Sequence, residues 1–260
     1  MVKLDASSQA ALKQASVSPV VLLEDVPYLR QKHVDGCGPT NLAMVLSYQL
    51  GFPVSEKELN LFNGEEGGTD PLALLWAFSY WEKSRGIEDI VVHYSATRAS
   101  LLFQLIPRER RAIGAPAISA PPSGNLISGS FEVNERYLRN VAEAPGMYFR
   151  TRLEVRQEIA KVCLELLQSG VSFHSKPESL EHVLGSLNKG LPVMLASGTH
   201  WFTIVGYGTR PEEFKPFDMA FIVHDSNFSK YGGGAFQPNT KLVTKLKGQS
   251  YSDTFVVAKK

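Results

Sequence analysis

Residues 31–51 read Gln31-Lys32-His33-Val34-Asp35-Gly36-Cys37-Gly38-Pro39-Thr40-Asn41-Leu42-Ala43-Met44-Val45-Leu46-Ser47-Tyr48-Gln49-Leu50-Gly51. A cysteine, Cys37, stands directly before Gly38-Pro39 and a run with helical spacing, and Gln31 lies six positions upstream. Proline suits the first turn of a helix, so the spacing predicts a helix that begins near Cys37 or Pro39. It carries Leu42, Val45, Leu46 and Gln49 on one stripe and ends near Gly51. The first N–H groups of a helix have no intrahelical partner and the macrodipole is positive there, so a thiol at this entrance is placed where a thiolate is favoured. Cys37 is therefore a candidate nucleophile, and a base must come from elsewhere in the chain.

Outward from this helix, Ser55 followed by Glu58 has the form of a capping box and predicts a short helix over 55–62. A further helix is expected from Pro71 to Lys83, after the polar Gly67-Gly68-Thr69-Asp70. Residues 1–30 read as a polar lead-in that ends in an extended piece around Val26-Pro27-Tyr28-Leu29. Residues 88–95 read as a strand, 107–130 as a long excursion rich in Pro, Gly, Ser and Ala, and 150–168 as an amphipathic helix. Cys163 lies beside the apolar stripe of that last helix, where a small buried hydrophobe is expected. In the last third, a helix over Ser179–Lys189 closed by Gly190 gives way to strands at 192–196, 200–207, 219–225 and 254–258. Helices followed by strands indicate an α+β architecture, with the nucleophile helix packed on an antiparallel sheet.

Composition narrows the function classes. The chain has 260 residues, enough to bury a full core, with 43% hydrophobic and 20% charged residues. Lys+Arg number 27 against 26 Asp+Glu, a balance that points to no nucleic-acid or membrane partner. No apolar run approaches the ~18 residues of a membrane span, and the N-terminus lacks the apolar core of a secretory signal. The expected location is the cytoplasm, or export without a cleavable signal peptide. Two cysteines fit a reducing compartment and do not make a disulfide framework.

A thiol nucleophile needs an imidazole to take its proton and a third group to orient the ring. Of the six histidines, His33 lies just before the helix, and His93, His174 and His182 sit in an ordinary strand, a loop and a helix surface. His224 flanks Asp225 on a strand and points to the opposite face. His200 differs, as a polar residue at the mouth of the apolar strand Trp201-Phe202-Thr203-Ile204-Val205. The strand Ala220–Asp225 ends in the polar cluster Asp225-Ser226-Asn227. If the two pair as a hairpin, the start of one neighbours the end of the other, and Asp225 or Asn227 can orient His200. Asp225 is preferred, because a carboxylate also stabilises the imidazolium. Gln31 and the backbone N–H of Cys37 are candidate donors to a tetrahedral oxyanion. No CxxC or HxxxH spacing supports a zinc set built from His33, Cys37 and His200, and Gly232-Gly233-Gly234 reads as a flexible turn. Trp76, Phe78, Tyr80 and Trp81 are expected to pack a helix, and Trp201 to wall the site from water.

The blocks Gln31…Cys37-Gly38-Pro39…Leu42-Ala43-Met44-Val45-Leu46…Tyr48…Gly51, Gly68-Thr69, Leu180…Leu187-Asn188-Lys189-Gly190-Leu191-Pro192-Val193 and Gly198-Thr199-His200-Trp201-Phe202…Val205-Gly206-Tyr207, followed by Asp225, resemble the C39-like peptidase family of the papain-like cysteine peptidase clan. The similar blocks cover roughly 26–80 and 178–228, which leaves about 84–165 as an insertion in a single domain over 1–260. The resemblance implies a papain-like fold and a thiol peptidase with Cys37 as nucleophile, His200 as base, Asp225 orienting it and Gln31 in the oxyanion hole. It implies a peptide or protein substrate and no cofactor or metal. Two other outcomes fit the same residues: transfer of the acyl group to an amine or thiol, and a binding module on this fold without turnover. Oligomeric state and substrate preference are not written in these motifs.

Overall fold

The computed structural model describes residues 6–14, 16–32, 36–59, 71–95, 171–174, 179–197, 200–210, 219–227, 233–247 and 254–260. In chain order the elements are α1 (Ala6–Gln14), β1 (Ser18–Leu22), α2 (Cys37–Leu50), α3 (Glu56–Leu59), α4 (Pro71–Arg85), β2 (Ile90–Ser95) and β3 (Val171–His174). They continue as α5 (Leu180–Asn188), β4 (Val193–Ser197), β5 (His200–Thr209), β6 (Met219–Asp225), β7 (Gly234–Asn239), α6 (Thr240–Lys247) and β8 (Thr254–Lys259). The 107–130 excursion, the 150–168 helix and Cys163 fall outside the described residues.

Helix α2 starts at Cys37 and stops where Gly51 takes a left-handed φ of 75° and donates its N–H to the Ser47 carbonyl. Every residue from Cys37 to Ser47 is buried. The stripe expected from spacing is therefore one side of a helix that is covered all round, which is how a core helix differs from a surface one. Ser47 ties its end to the next segment, donating to the Ala43 carbonyl and accepting from the Val54 N–H.

The capping box expected at Ser55 does not form. Ser55 Oγ accepts from the N–H of Lys57, and the Glu58 carboxylate turns away to accept from Trp81 Nε1 and the Arg85 guanidinium. Burial of Trp81 explains the exchange, since a buried indole N–H needs an acceptor more than an exposed helix end does. Phe78 and Trp81 pack α4 as expected.

The fold is α+β, built on a sheet in the order β3-β2-β8-β4-β5-β6-β7, with β1 pairing β5 as well. The neighbours are antiparallel except β2 and β3, which run parallel, so the sheet is mixed where an antiparallel one was expected. Period-two alternation divides its faces. Met194, Ala196, Trp201, Phe255 and Val257 face α2 and α4, whereas Val193, Leu195, Ile204, Phe221, Val223 and Val256 pack with Val183 and Leu187 of α5 and Leu242, Val243 and Leu246 of α6. Helices therefore cover both faces. Segment 1–30, expected as a lead-in, contributes α1 and β1 and a third cluster with Val205, Ala220 and Ile222.

Gly206 and Gly233 are among the glycines that admit close backbone approach. A Cβ on Gly206 would lie 2.3 Å from the Val21 carbonyl oxygen, where β1 crosses β5 beyond the end of β4. A Cβ on Gly233 would lie 2.0 Å from the Asn227 carbonyl oxygen. Gly234 then opens β7 opposite Asp225. This part of the glycine run is packed backbone leading into a strand, not the expected flexible turn. Among the described residues, no helix is long and apolar enough to cross a membrane.

Candidate active site

Cys37 opens α2 and is 4% exposed. Its thiol lies beside the His200 ring, near enough to raise the ring's pKa. The other face of that ring meets Asp225, with Nε2 2.7 Å from Oδ1, which leaves Nδ1 as the nitrogen for the thiol. Asp225 Oδ1 also accepts from the Asn227 N–H at 3.0 Å. Pairing of β5 with β6 runs as far as Thr203↔His224, so His200 and Asp225 both lie just past the end of that ladder. Of the two expected partners Asp225 makes the bond, and Asn227 serves Asp225 with its backbone.

The electrostatics follow from this packing. Burial is the largest influence on His200 and disfavours the charged ring. The hydrogen bonds to Asp225 and Cys37, together with the charges of both, outweigh it and hold the pKa up at about 9. The ring is accordingly an imidazolium at neutral pH. Phe202 packs edge-on against it with centroids 4.5 Å apart. Trp201, the expected wall, lies buried and stacked on Phe255 at 5.0 Å. Tyr28 donates to the Asp225 carbonyl oxygen, and burial followed by the Asp225 charge pushes its phenol pKa up, so it stays a donor.

Gln31 is buried, and its segment is pinned from both sides. Its N–H donates to the Ser226 carbonyl at 2.8 Å, and the next N–H, of Lys32, donates to Glu56 Oε2. The side-chain oxygen Oε1 accepts from Ser226 Oγ at 3.0 Å. Ser226 Oγ in turn accepts from Asn41 Nδ2, and the same amide nitrogen reaches the carbonyls of Cys37 at 2.7 Å and Trp201 at 3.1 Å. Asn41 Oδ1 accepts from Thr203 Oγ1 at 2.6 Å. Gln31 is thus linked to the nucleophile helix through two buried polar residues.

Sequence reasoning passed over Asn41, Thr203, Ser226, Tyr28 and Phe202. A signal existed for two of them. Asn41 is a polar residue one turn after Cys37, just before the apolar run Leu42–Leu46, and Thr203 is a hydroxyl inside an apolar strand. Of the other histidines, His33 is outside the described residues, as is the His174 side chain. His93 lies on β2, three strands from β5, and His182 is exposed beside Ser179. His224 is fully buried on the opposite face from Asp225, between the rings of Tyr28 and Phe236. Burial pushes its pKa down to about 4, only partly opposed by the Pro27 backbone. Among the described residues no group of three or more His, Cys, Asp or Glu side chains is placed to hold a metal ion. Comparison of the chain with protein-family models, with curated proteins and with solved structures returns no significant match.

Proposed function

We propose that the chain is a cysteine peptidase, or more broadly an amide-bond hydrolase, with a papain-like arrangement of nucleophile helix and sheet. One observation carries the reading: a thiol at the first residue of a buried helix lies beside an imidazole whose Nε2 is 2.7 Å from a carboxylate. The Cys37 thiolate, paired with the His200 imidazolium, attacks the substrate carbonyl carbon. The S–C bond forms as the carbonyl π electrons move to oxygen. Donors from the Cys37 N–H and the Gln31 amide stabilise that oxyanion. Collapse breaks the C–N bond, and the departing amine takes the His200 proton. Water then attacks the thioester while His200 removes its proton, and the carboxylic acid leaves with the thiolate restored. Asp225 holds the ring and balances its charge throughout.

The His200 imidazole is 24% exposed while Cys37 is nearly covered. The test is incubation with a peptide library followed by intact-mass and peptide-level mass spectrometry. An acyl group on Cys37 that is absent from Cys37→Ala is the expected result. Acylation that persists in that variant, with Cys163 as the modified residue, rejects the assignment.

A further inference from the structure

We infer that Asn41 is a positioning residue that fixes which face of the Gln31 amide meets the substrate; this rests on the hydrolase reading above. The argument runs through hydrogen-bond polarity. Backbone carbonyls only accept, so the two that face Asn41, from Cys37 and Trp201, require its NH2 group on that side. The Thr203 hydroxyl then donates to Oδ1. Asn41 Nδ2 also faces Ser226 Oγ; its two hydrogens are shared among three acceptors, and an amide nitrogen has no lone pair to offer, so the Ser226 proton cannot point there. That proton goes to the remaining partner, Gln31 Oε1. A flipped Gln31 would set its NH2 against that hydroxyl and strand the Ser226 proton among donors. Such an orphan is costly at a residue with no exposure. Two carbonyls of the nucleophile helix and base strand therefore dictate, through Asn41 and Ser226, that Gln31 offers the substrate a donor and not an acceptor.

The test is a double-mutant cycle read by two chemistries at Cys37. Burst release of p-nitrophenolate from p-nitrophenyl acetate passes through an oxyanion, whereas alkylation by iodoacetamide does not. Asn41→Ala and Gln31→Ala should each slow the acylation burst about tenfold or more, and the double variant should be no slower than Gln31→Ala within about twofold. Alkylation of Cys37, followed by peptide mapping, should stay within about twofold of wild type in Gln31→Ala and should fall less than the burst does in Asn41→Ala and the double variant. Equal slowing by Asn41→Ala in the Gln31 and Gln31→Ala backgrounds, or a parallel loss of alkylation, overturns the inference. If circular dichroism shows that Asn41→Ala does not fold, the Ser226→Ala and Gln31→Ala cycle decides by the same criteria. A burst that is absent from wild type, or unchanged by Cys37→Ala, overturns the underlying hydrolase reading instead.

Discussion

Asp225→Asn isolates the charge at the centre of the site. A single oxygen, Oδ1, accepts from both His200 Nε2 and the Asn227 N–H, so an amide oriented with its oxygen in that place keeps both hydrogen bonds and removes only the negative charge. The His200 pKa of about 9 against an ordinary 6.5 corresponds to about 3 kcal/mol in favour of the imidazolium at ~1.4 kcal/mol per pH unit. Asp225 is the leading contributor on the raising side, ahead of Cys37. Removing its charge should therefore bring the midpoint below about 9 and cost up to about tenfold in kcat/KM at pH 8, to the extent that the ring loses the proton the proposed leaving amine needs. The midpoint is read from the His200 Cε1–Hε1 signal by NMR, and the rate from the upper limb of the pH profile, which should move down with it. Stability responds with a definite sign. A folded pKa raised above the unfolded one stabilises fully below pH 6.5, and that stabilisation is lost as pH rises through about 9. The variant should accordingly be less stable than wild type at pH 6 and approach it above pH 9. A His200 midpoint that stays near 9 in Asp225→Asn would refute the charge assignment.

Two buried groups elsewhere titrate in opposite senses. Burial raises the Glu82 pKa from 4.5 to about 7, opposed by Lys260 and Lys83, so its neutral form belongs to the fold and stability is lost as pH rises from 4.5 through 7. His224, depressed to about 4, is neutral in the fold and costs stability as pH falls from 6.5 toward 4. Glu82→Gln should therefore gain up to about 3 kcal/mol over wild type above pH 7, and His224→Phe a similar amount at pH 4; urea titrations at three pH values check both. Gly206→Ala should lose about 3 kcal/mol through overpacking against the Val21 carbonyl, measured by the same titration at pH 7. Ser47→Ala leaves the Val54 N–H without its acceptor and should cost about 2 kcal/mol, seen as a lowered urea midpoint at unchanged slope.

Legibility in the sequence followed the strength of local signals. Helix α2 was legible at both ends because Pro39 and Gly51 punctuate it, and β6 because five apolar residues lead into the polar His224-Asp225. Strand β7 was not, since it contains Pro238, which a sheet tolerates because β7 is the edge strand. Helix α6 begins at Thr240 immediately after β7, with no loop to announce it. Strands β1 and β3 have five and four residues, too short for periodicity to distinguish from loop. At the site, the choice of Cys37, His200, Asp225 and Gln31 rested on residue type and position at element ends. The bond between His200 and Asp225 did not follow from register alone, because the β5–β6 pairing stops at Thr203↔His224, short of His200.

The buried polar set between α2 and the sheet bears on why the site holds its shape. Asn41, Thr203 and Ser226 have no exposure, and a half-satisfied network in such a place is worse than an apolar one. Apolar side chains of equal volume would fill the space, but they set no distance and no direction, and α2 could shift along β5 at small cost. Asn41 instead holds the carbonyl of Cys37 itself and that of Trp201, the residue beside His200, on one amide nitrogen. The backbone that carries the nucleophile and the backbone that carries the base are thereby clamped across a single atom, which suits a geometry that must hold within about 0.5 Å. Ser226 adds the strand that carries Asp225, and through it Gln31. Beside the direct His200–Asp225 bond, the four candidate side chains are thus also located by bonds on the residues next to them, as the proposed chemistry requires.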